Sequence, residues 1–191
     1  MSIKSLRFIT DDPEIRSSLM SMDIRQFNSE HSGFPNSRLE IESHIKRRQT
    51  DFCREYKSDF LLDQLKDKKT TSIFFHNGFE IAGLLNFTIK EDINHERYLY
   101  IEGMCVPTDH KGNGTKLLNF TKMIANNLDI NKISLSYLKD SAGFYKKNNF
   151  RLYNDGRAVF NMRGGSGVKT LKNKNKNKKC KKYTKTRKFR E

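Results

Sequence analysis

A chain of 191 residues with 35% hydrophobic side chains and a formal net charge of +15 has room for one domain and some additional sequence. No apolar run approaches the ~18 residues of a membrane-spanning helix, so a membrane partner is not expected, and Met1-Ser2-Ile3-Lys4 does not open a signal peptide. Cys53, Cys105 and Cys180 are odd in number and widely spaced, which predicts neither a disulfide frame nor a zinc site and suits an intracellular, reducing compartment, cytoplasm or nucleus.

In chain order, Ile3 to Thr10 reads as a short strand. Asp11-Asp12-Pro13 ends it with an N-cap signal and a proline suited to the first helical position, so a helix follows. A longer, charged helical region is predicted between about Ser37 and Lys66, and the cations of HIKRRQT (44–50) within it read as a solvated face. TTSIFFHNGFEIAGLLNFTI then holds two β-rich runs split by Asn77-Gly78, a tight-hairpin dipeptide. RYLYIEGMCV is another strand, with Gly103 as the candidate for a bulge. The helix from about Gly114 to Asn127 places Leu117, Leu118, Met123 and Ile124 on one face, and KISLSYL is a further strand. DSAGFYKKNNF reads as a short helix begun by Asp140 or Ser141 and stopped near Asn148-Asn149, because Asn tolerates the left-handed conformation. FRLYNDGRAVFNM closes the series as a hairpin around Asn154-Asp155-Gly156.

The charge is unevenly distributed. Residues 163–191 hold 13 Lys and Arg against the single acid Glu191, a net +12, which leaves residues 1–162 with 24 basic and 21 acidic side chains, a net +3. This terminal segment has almost no aliphatic residues after Leu171 and cannot bury enough apolar area to offset the entropy of ordering. It is predicted to be a disordered lysine-rich tail, joined to a domain at 1–162 through Gly164-Gly165-Ser166-Gly167.

HKGNGTKLL, from His110 to Leu118, sets two glycines and two lysines between a strand and a helix start. Exposed N–H groups at a helix N-terminus favour an anion, and glycine lets a ligand approach the backbone. Glycine in such a turn also serves purely steric ends. The order Thr115-Lys116 is wrong for a P-loop, and Leu117 stands where a dinucleotide fingerprint needs its third glycine.

Together, CVPTDHKGNGTKLL and, one strand later, SAGFYKKNNF resemble the GNAT superfamily of acyl-CoA N-acyltransferases. Gly112, Gly114 and Leu117 match that family's [QR]-x-x-G-x-[GA]-x-x-L motif, and Ala142, Phe144, Tyr145 and Phe150 match its A-x-x-[LF]-Y-x-x-x-G-F helix. The similarity covers roughly residues 70–162. Counted back from Gly112 the Gln/Arg position is Asp109. Counted forward from Val106 the loop is about two residues short and Lys111 takes that place, the preferred register because a cation belongs beside a diphosphate. Asn149 replaces the glycine of the Gly-Phe pair.

The resemblance implies an α/β (α+β) GNAT fold, with a central mixed, mostly antiparallel sheet of six to seven strands flanked by about four helices. It implies acetyl-CoA as co-substrate and direct acetyl transfer to a primary amine, small molecule or protein. Backbone groups of Met104, Cys105 and Val106 would bind the pantetheine arm, and N–H groups of Lys111, Gly112, Asn113, Gly114 and Thr115 the pyrophosphate. A bulge at Gly103 would free an N–H for the thioester oxygen. Tyr145 sits at the family's acid position, and Glu102, placed on one strand face with Tyr100 and Met104, is the candidate base, with Tyr100 as a substitute. His110 reads as a loop residue, and Cys105 as a packed small hydrophobe rather than a nucleophile. The tail suggests contact with polyanions. The competing reading is a degenerate CoA-binding or nucleic-acid-associated protein acting through its basic tail; the intact Tyr145 and anion loop favour the enzyme.

Overall fold

The chain opens where its chemistry demands a turn. Asp12 Oδ1 accepts hydrogen bonds from the backbone N–H groups of Glu14 and Ile15, at 2.9 and 3.0 Å, and Pro13 occupies the first helical position, so strand β1 (Ser5–Ile9) passes directly into helix α1 (Pro13–Ser21). The computed structural model describes residues 5–22, 30–31, 42, 58–76, 81–107 and 111–162. The elements that follow are β2 (Glu30–His31), α2 (Ser58–Lys66), β3 (Thr71–His76), β4 (Ile81–Glu91), β5 (Arg97–Cys105), α3 (Asn113–Asn127), β6 (Lys132–Ser136), a 3₁₀ turn (Lys139–Ser141), α4 (Ala142–Lys147), β7 (Arg151–Leu152) and β8 (Arg157–Asn161). The Asn77-Gly78 turn, most of the region 37–57 and the tail at 163–191 lie outside the described residues.

All eight strands form one sheet in the order β2-β1-β3-β4-β5-β6-β8-β7. The β1–β2 and β5–β6 pairs are parallel and the rest antiparallel, the mixed sheet expected, with the two-residue β2 as an extra edge. β3 and β4 pair antiparallel, as a hairpin between them requires.

Alternation along the strands builds one apolar face. Leu6 and Phe8, Ile73 and Phe75, Leu85 and Phe87, and Leu99 and Ile101 all belong to the main core. The parallel partner β6 continues it with Ile133 and Leu135. α1 lays Ile15 and Leu19 on this face, and α3 lays Leu117, Leu118, Phe120 and Ile124 there, with the Phe120 ring stacked on Phe8 at 5.6 Å. Each fully buried side chain of this size contributes about 1.5–3 kcal/mol of hydrophobic stabilisation. α4 ends as expected: Asn149 takes φ +67°, and Asn148 Nδ2 donates to the Phe144 carbonyl at 2.9 Å.

Candidate active site

The site begins with a miscount between two strands. Asn86 of β4 pairs with Gly103 of β5, but the next residue, Phe87, pairs with Ile101, so Glu102 is an extra residue on β5. This is the bulge expected at Gly103, and it resets the alternation of the strand. Tyr100, opposite Thr88, and Glu102 share the face away from the main core. Met104 instead comes opposite Leu85 and packs against that core. The expectation that Met104 shares a face with Tyr100 and Glu102 is therefore corrected, because a strict period of two cannot survive an inserted residue. Cys105 is likewise turned onto the second face, opposite Leu84.

Cys105 is also disulfide-bonded, with its partner outside the described residues. This corrects the expected absence of disulfides, since distance along a chain does not bound distance in space, and it removes the cysteine argument for a reducing compartment.

On the second face, Glu102 is held by β4. Its Oε1 accepts from Thr88 Oγ1 at 2.9 Å and lies 2.8 Å from Lys90 Nζ. Among the described residues both contacts fall on Oε1, so Oε2 remains for an approaching N–H group. Lys90 Nζ also sits 3.8 Å above the Tyr100 ring, and Tyr100 Oη shares a 3.1 Å hydrogen bond with Ser136 Oγ at the end of β6. Thr88, Lys90, Tyr100, Glu102 and Ser136 thus form one polar patch. Only Glu102 and Tyr100 were legible in advance; Thr88 and Lys90 stand at alternate positions of the neighbouring strand, a signal that needs the register to be read.

The patch lies where two strands part. β5 and β6 pair only through Leu99–Ile133, Tyr100–Ser134 and Ile101–Leu135, while β5 runs on to Cys105 paired with β4 alone. Among the described residues, the β6-side edge of β5 is unpaired from the bulge onward and offers its backbone to an extended ligand. Just beyond, Gly112 caps α3 in the left-handed region at φ +92°, a conformation that glycine alone adopts cheaply. Among the described residues no side chain caps this helix start and its first turn carries no acid, which leaves its first N–H groups without a side-chain acceptor, beside exposed Lys111 and Thr115. Half-buried Val106 lies close to Gly83 and Gly114.

The two central residues of the motif have structural work. A Cβ on Gly114 would come 3.1 Å from Phe144 Cζ, so this glycine makes room for an aromatic ring of α4. Asn113 is buried, and its Nδ2 donates to the Ala82 carbonyl at 2.7 Å. Ala82 is the extra residue of a second irregularity, where Phe75 pairs with Gly83 and His76 with Ile81, and Asn113 supplies the donor that the ladder lacks there. Beside Phe144, Tyr145 is 7% exposed, edge-on to Phe144 at 5.2 Å and to Phe150 at 5.7 Å. Asp109 and His110 lie outside the described residues.

A cavity of 290 Å³ opens at the far end of α3, between Met22, Lys122, Met123, Asn126, Asn127 and Met162. Burial holds the Lys122 ammonium below its ordinary pKa, and its Nζ donates to the Asn148 carbonyl at 2.9 Å and lies 4.1 Å over the Phe160 ring. Lys122 serves packing there. Among the described residues no group of three His, Cys, Asp or Glu could hold a metal ion, and no helix is long and apolar enough to cross a membrane.

Residues 36–150 match the model of the acetyltransferase (GNAT) family. The chain is a member of the GNAT family. The GNAT fold is shared with Tetrahymena GCN5, at a TM-score of 0.51 and 13% identity over 83% of this chain and 96% of that one. It is shared also with a GNAT-family protein from Desulfovibrio desulfuricans, at a TM-score of 0.51 and 14% identity over 67% and 94% of the two chains. No curated protein matches the sequence. Membership assigns this GNAT protein to acyl-CoA-dependent acyl transfer, the class implied by the two motifs.

Proposed function

We propose that the protein is an N-acetyltransferase that moves an acetyl group from acetyl-CoA to a primary amine within a ternary complex. The observation that carries this reading is the open edge of β5, which leads from the Glu102 bulge to the uncapped start of α3. Acetyl-CoA supplies the activated acyl group as a thioester. Backbone groups of Met104, Cys105 and Val106 would pair with its pantetheine amides as an added strand. Lys111, Gly112, Asn113, Gly114 and Thr115 would turn N–H groups toward its pyrophosphate. The fit rests on two features of the described residues: no Cβ or acid crowds the Gly112 turn, and no strand pairs with the β6-side edge of β5 beyond Ile101.

Glu102 would accept a proton from the incoming amine through Oε2, while Lys90 and Thr88 hold Oε1. The N–H freed at the bulge would take the developing negative charge on the acyl oxygen. Tyr145 would return a proton to the departing sulfur. Residues 163–191, at +12, would give the enzyme a non-specific hold on a polyanion such as nucleic acid, and that hold would weaken steeply with salt.

Calorimetry and thermal unfolding with acetyl-CoA at moderate salt test the reading, using a 1–162 truncation, if that part folds alone, beside the full chain to separate site from tail. A ligand at ~100 times its Kd adds about 2.7 kcal/mol. A shift of several degrees with acetyl-CoA, together with thiol release when amines are added, is expected. No shift at millimolar acetyl-CoA would reject it and turn attention to the tail.

A further inference from the structure

Three buried polar atoms without a partner meet at one place on the second face. Asn86 is 0% exposed and neither its Oδ1 nor its Nδ2 finds a hydrogen-bond partner. Ser72, its register partner on β3, is 1% exposed and its Oγ is equally orphaned. Native proteins pair nearly all buried polar groups, so an orphaned carboxamide beside an orphaned hydroxyl marks a position that a ligand completes. Asn86 follows the same alternation as Thr88 and Lys90, and it lies directly opposite Gly103, the neighbour of Glu102. Asn86 is therefore about one strand spacing, ~4.8 Å, from the bulge where the reaction is placed, and Ser72 about two.

We infer that Asn86 and Ser72 form the acceptor subsite, and that it receives a neutral amide group carried next to the amine that is acetylated. This rests on the acetyltransferase reading and names the acceptor class for it. A carboxamide offers donors on Nδ2 and an acceptor on Oδ1, and its natural complement is a C=O and an N–H presented together. The first peptide group of a polypeptide, or the amide of an amino-acid amide, presents that pair within reach of its own α-amine. A lysine ε-amine arrives on four methylenes, which would leave Asn86 as unsatisfied as before. No charged side chain faces Asn86 from its register partners Ser72 and Gly103; the nearest charges along the face are the paired Lys90 and Glu102. The position suits a neutral group, with the amine directed toward Glu102. Its burial also means that an acceptor must open the second face to enter, and that bulk water does not compete once it is in.

The test uses the full chain and four probes: alanyl-alanine amide, alaninamide, Nα-acetyl-lysine amide and cadaverine. The wild type is expected to acetylate the first two with kcat/KM at least about tenfold above the last two, since a site with unpaired polar groups rejects partners that cannot pair them. The dipeptide leading marks a polypeptide end as the source, and alaninamide leading marks a small amide. Asn86→Leu removes the orphaned amide at similar volume. It is expected to raise Tm, to raise KM for alanyl-alanine amide at least about tenfold and to leave the acetyl-CoA Kd unchanged. Ser72→Ala should do the same more weakly, and it serves if the first variant does not fold.

A preference for cadaverine or acetyl-lysine amide, or an amide preference that survives Asn86→Leu, would overturn the inference. So would a lowered Tm without a change in KM, which would make the amide structural. Failure of the parent reading shows separately, as no calorimetric heat with acetyl-CoA. The amide site is still read in that case, because millimolar alanyl-alanine amide should raise the Tm of the wild type and not of Asn86→Leu.

Discussion

The two faces of this sheet come from the same central strands and the same alternation, yet their chemistry is opposite. On one, Leu85, Phe87, Leu99 and Ile101 disappear under α1 and α3 into the apolar core. On the other, one step away in sequence, stand Asn86, Thr88, Lys90, Tyr100 and Glu102. The first face buries its apolar side chains in one continuous core and so explains the fold. The second leaves Asn86 and Ser72 unsatisfied and stretches β5 by one residue, concessions that stability alone would not make. The difference separates residues that specify the architecture from residues that await a ligand.

The sharpest way to break the comparison is to make the two faces respond alike. Phe87→Ala, on the closed face, should destabilise the domain by about 3–5 kcal/mol in urea unfolding and lower activity only through the fraction folded. Glu102→Gln, on the second face, should do the reverse: unfolding within about 1 kcal/mol of wild type, since its ion pair with Lys90 is partly exposed, and turnover down about a hundredfold at unchanged acetyl-CoA affinity. A Glu102→Gln variant with full turnover would remove the base from that residue. Gly112→Ala places a Cβ at φ +92°, at a cost of about 1–2 kcal/mol, and should weaken acetyl-CoA binding more than it lowers Tm.

The smallest effect lies away from both faces, in the turn between β4 and β5. There the Lys132 ammonium, bonded to Asp92 at 2.7 Å, and the Asn94 N–H hold the Asp92 carboxyl below its usual range. A lowered folded-state pKa stabilises above the unfolded value and is lost as pH falls through the folded one. Wild type should therefore lose stability below ~pH 4 more steeply than Asp92→Asn, read as Tm against pH.

Much of this was legible without coordinates. Asp12-Pro13 announces its helix, Asn149 its left-handed stop, Gly103 its bulge and Gly112 its turn, because each is a local demand that one residue type meets best. What escaped depends on register. The sequence LLNFT places a polar residue inside an apolar strand, but nothing local says that Asn86 will face Ser72 and find no partner. Nor does the chain state where Glu102 is inserted relative to β4, and that decides on which side Met104 and Cys105 fall. The second irregularity, at Ala82, was invisible for the same reason, and with it the purpose of Asn113.

The contact between Gly114 and the Phe144 ring ties the two motifs into one mechanical piece. The amount of side chain at 114 and at 144 is a shared quantity, so a gain at one has to be met by a loss at the other. Gly114→Ala should be rescued by Phe144→Leu, although neither alone is neutral. Among homologous sequences, the two positions are expected to drift as a pair, and Tyr145, the next residue on the same helix, registers every mismatch between them.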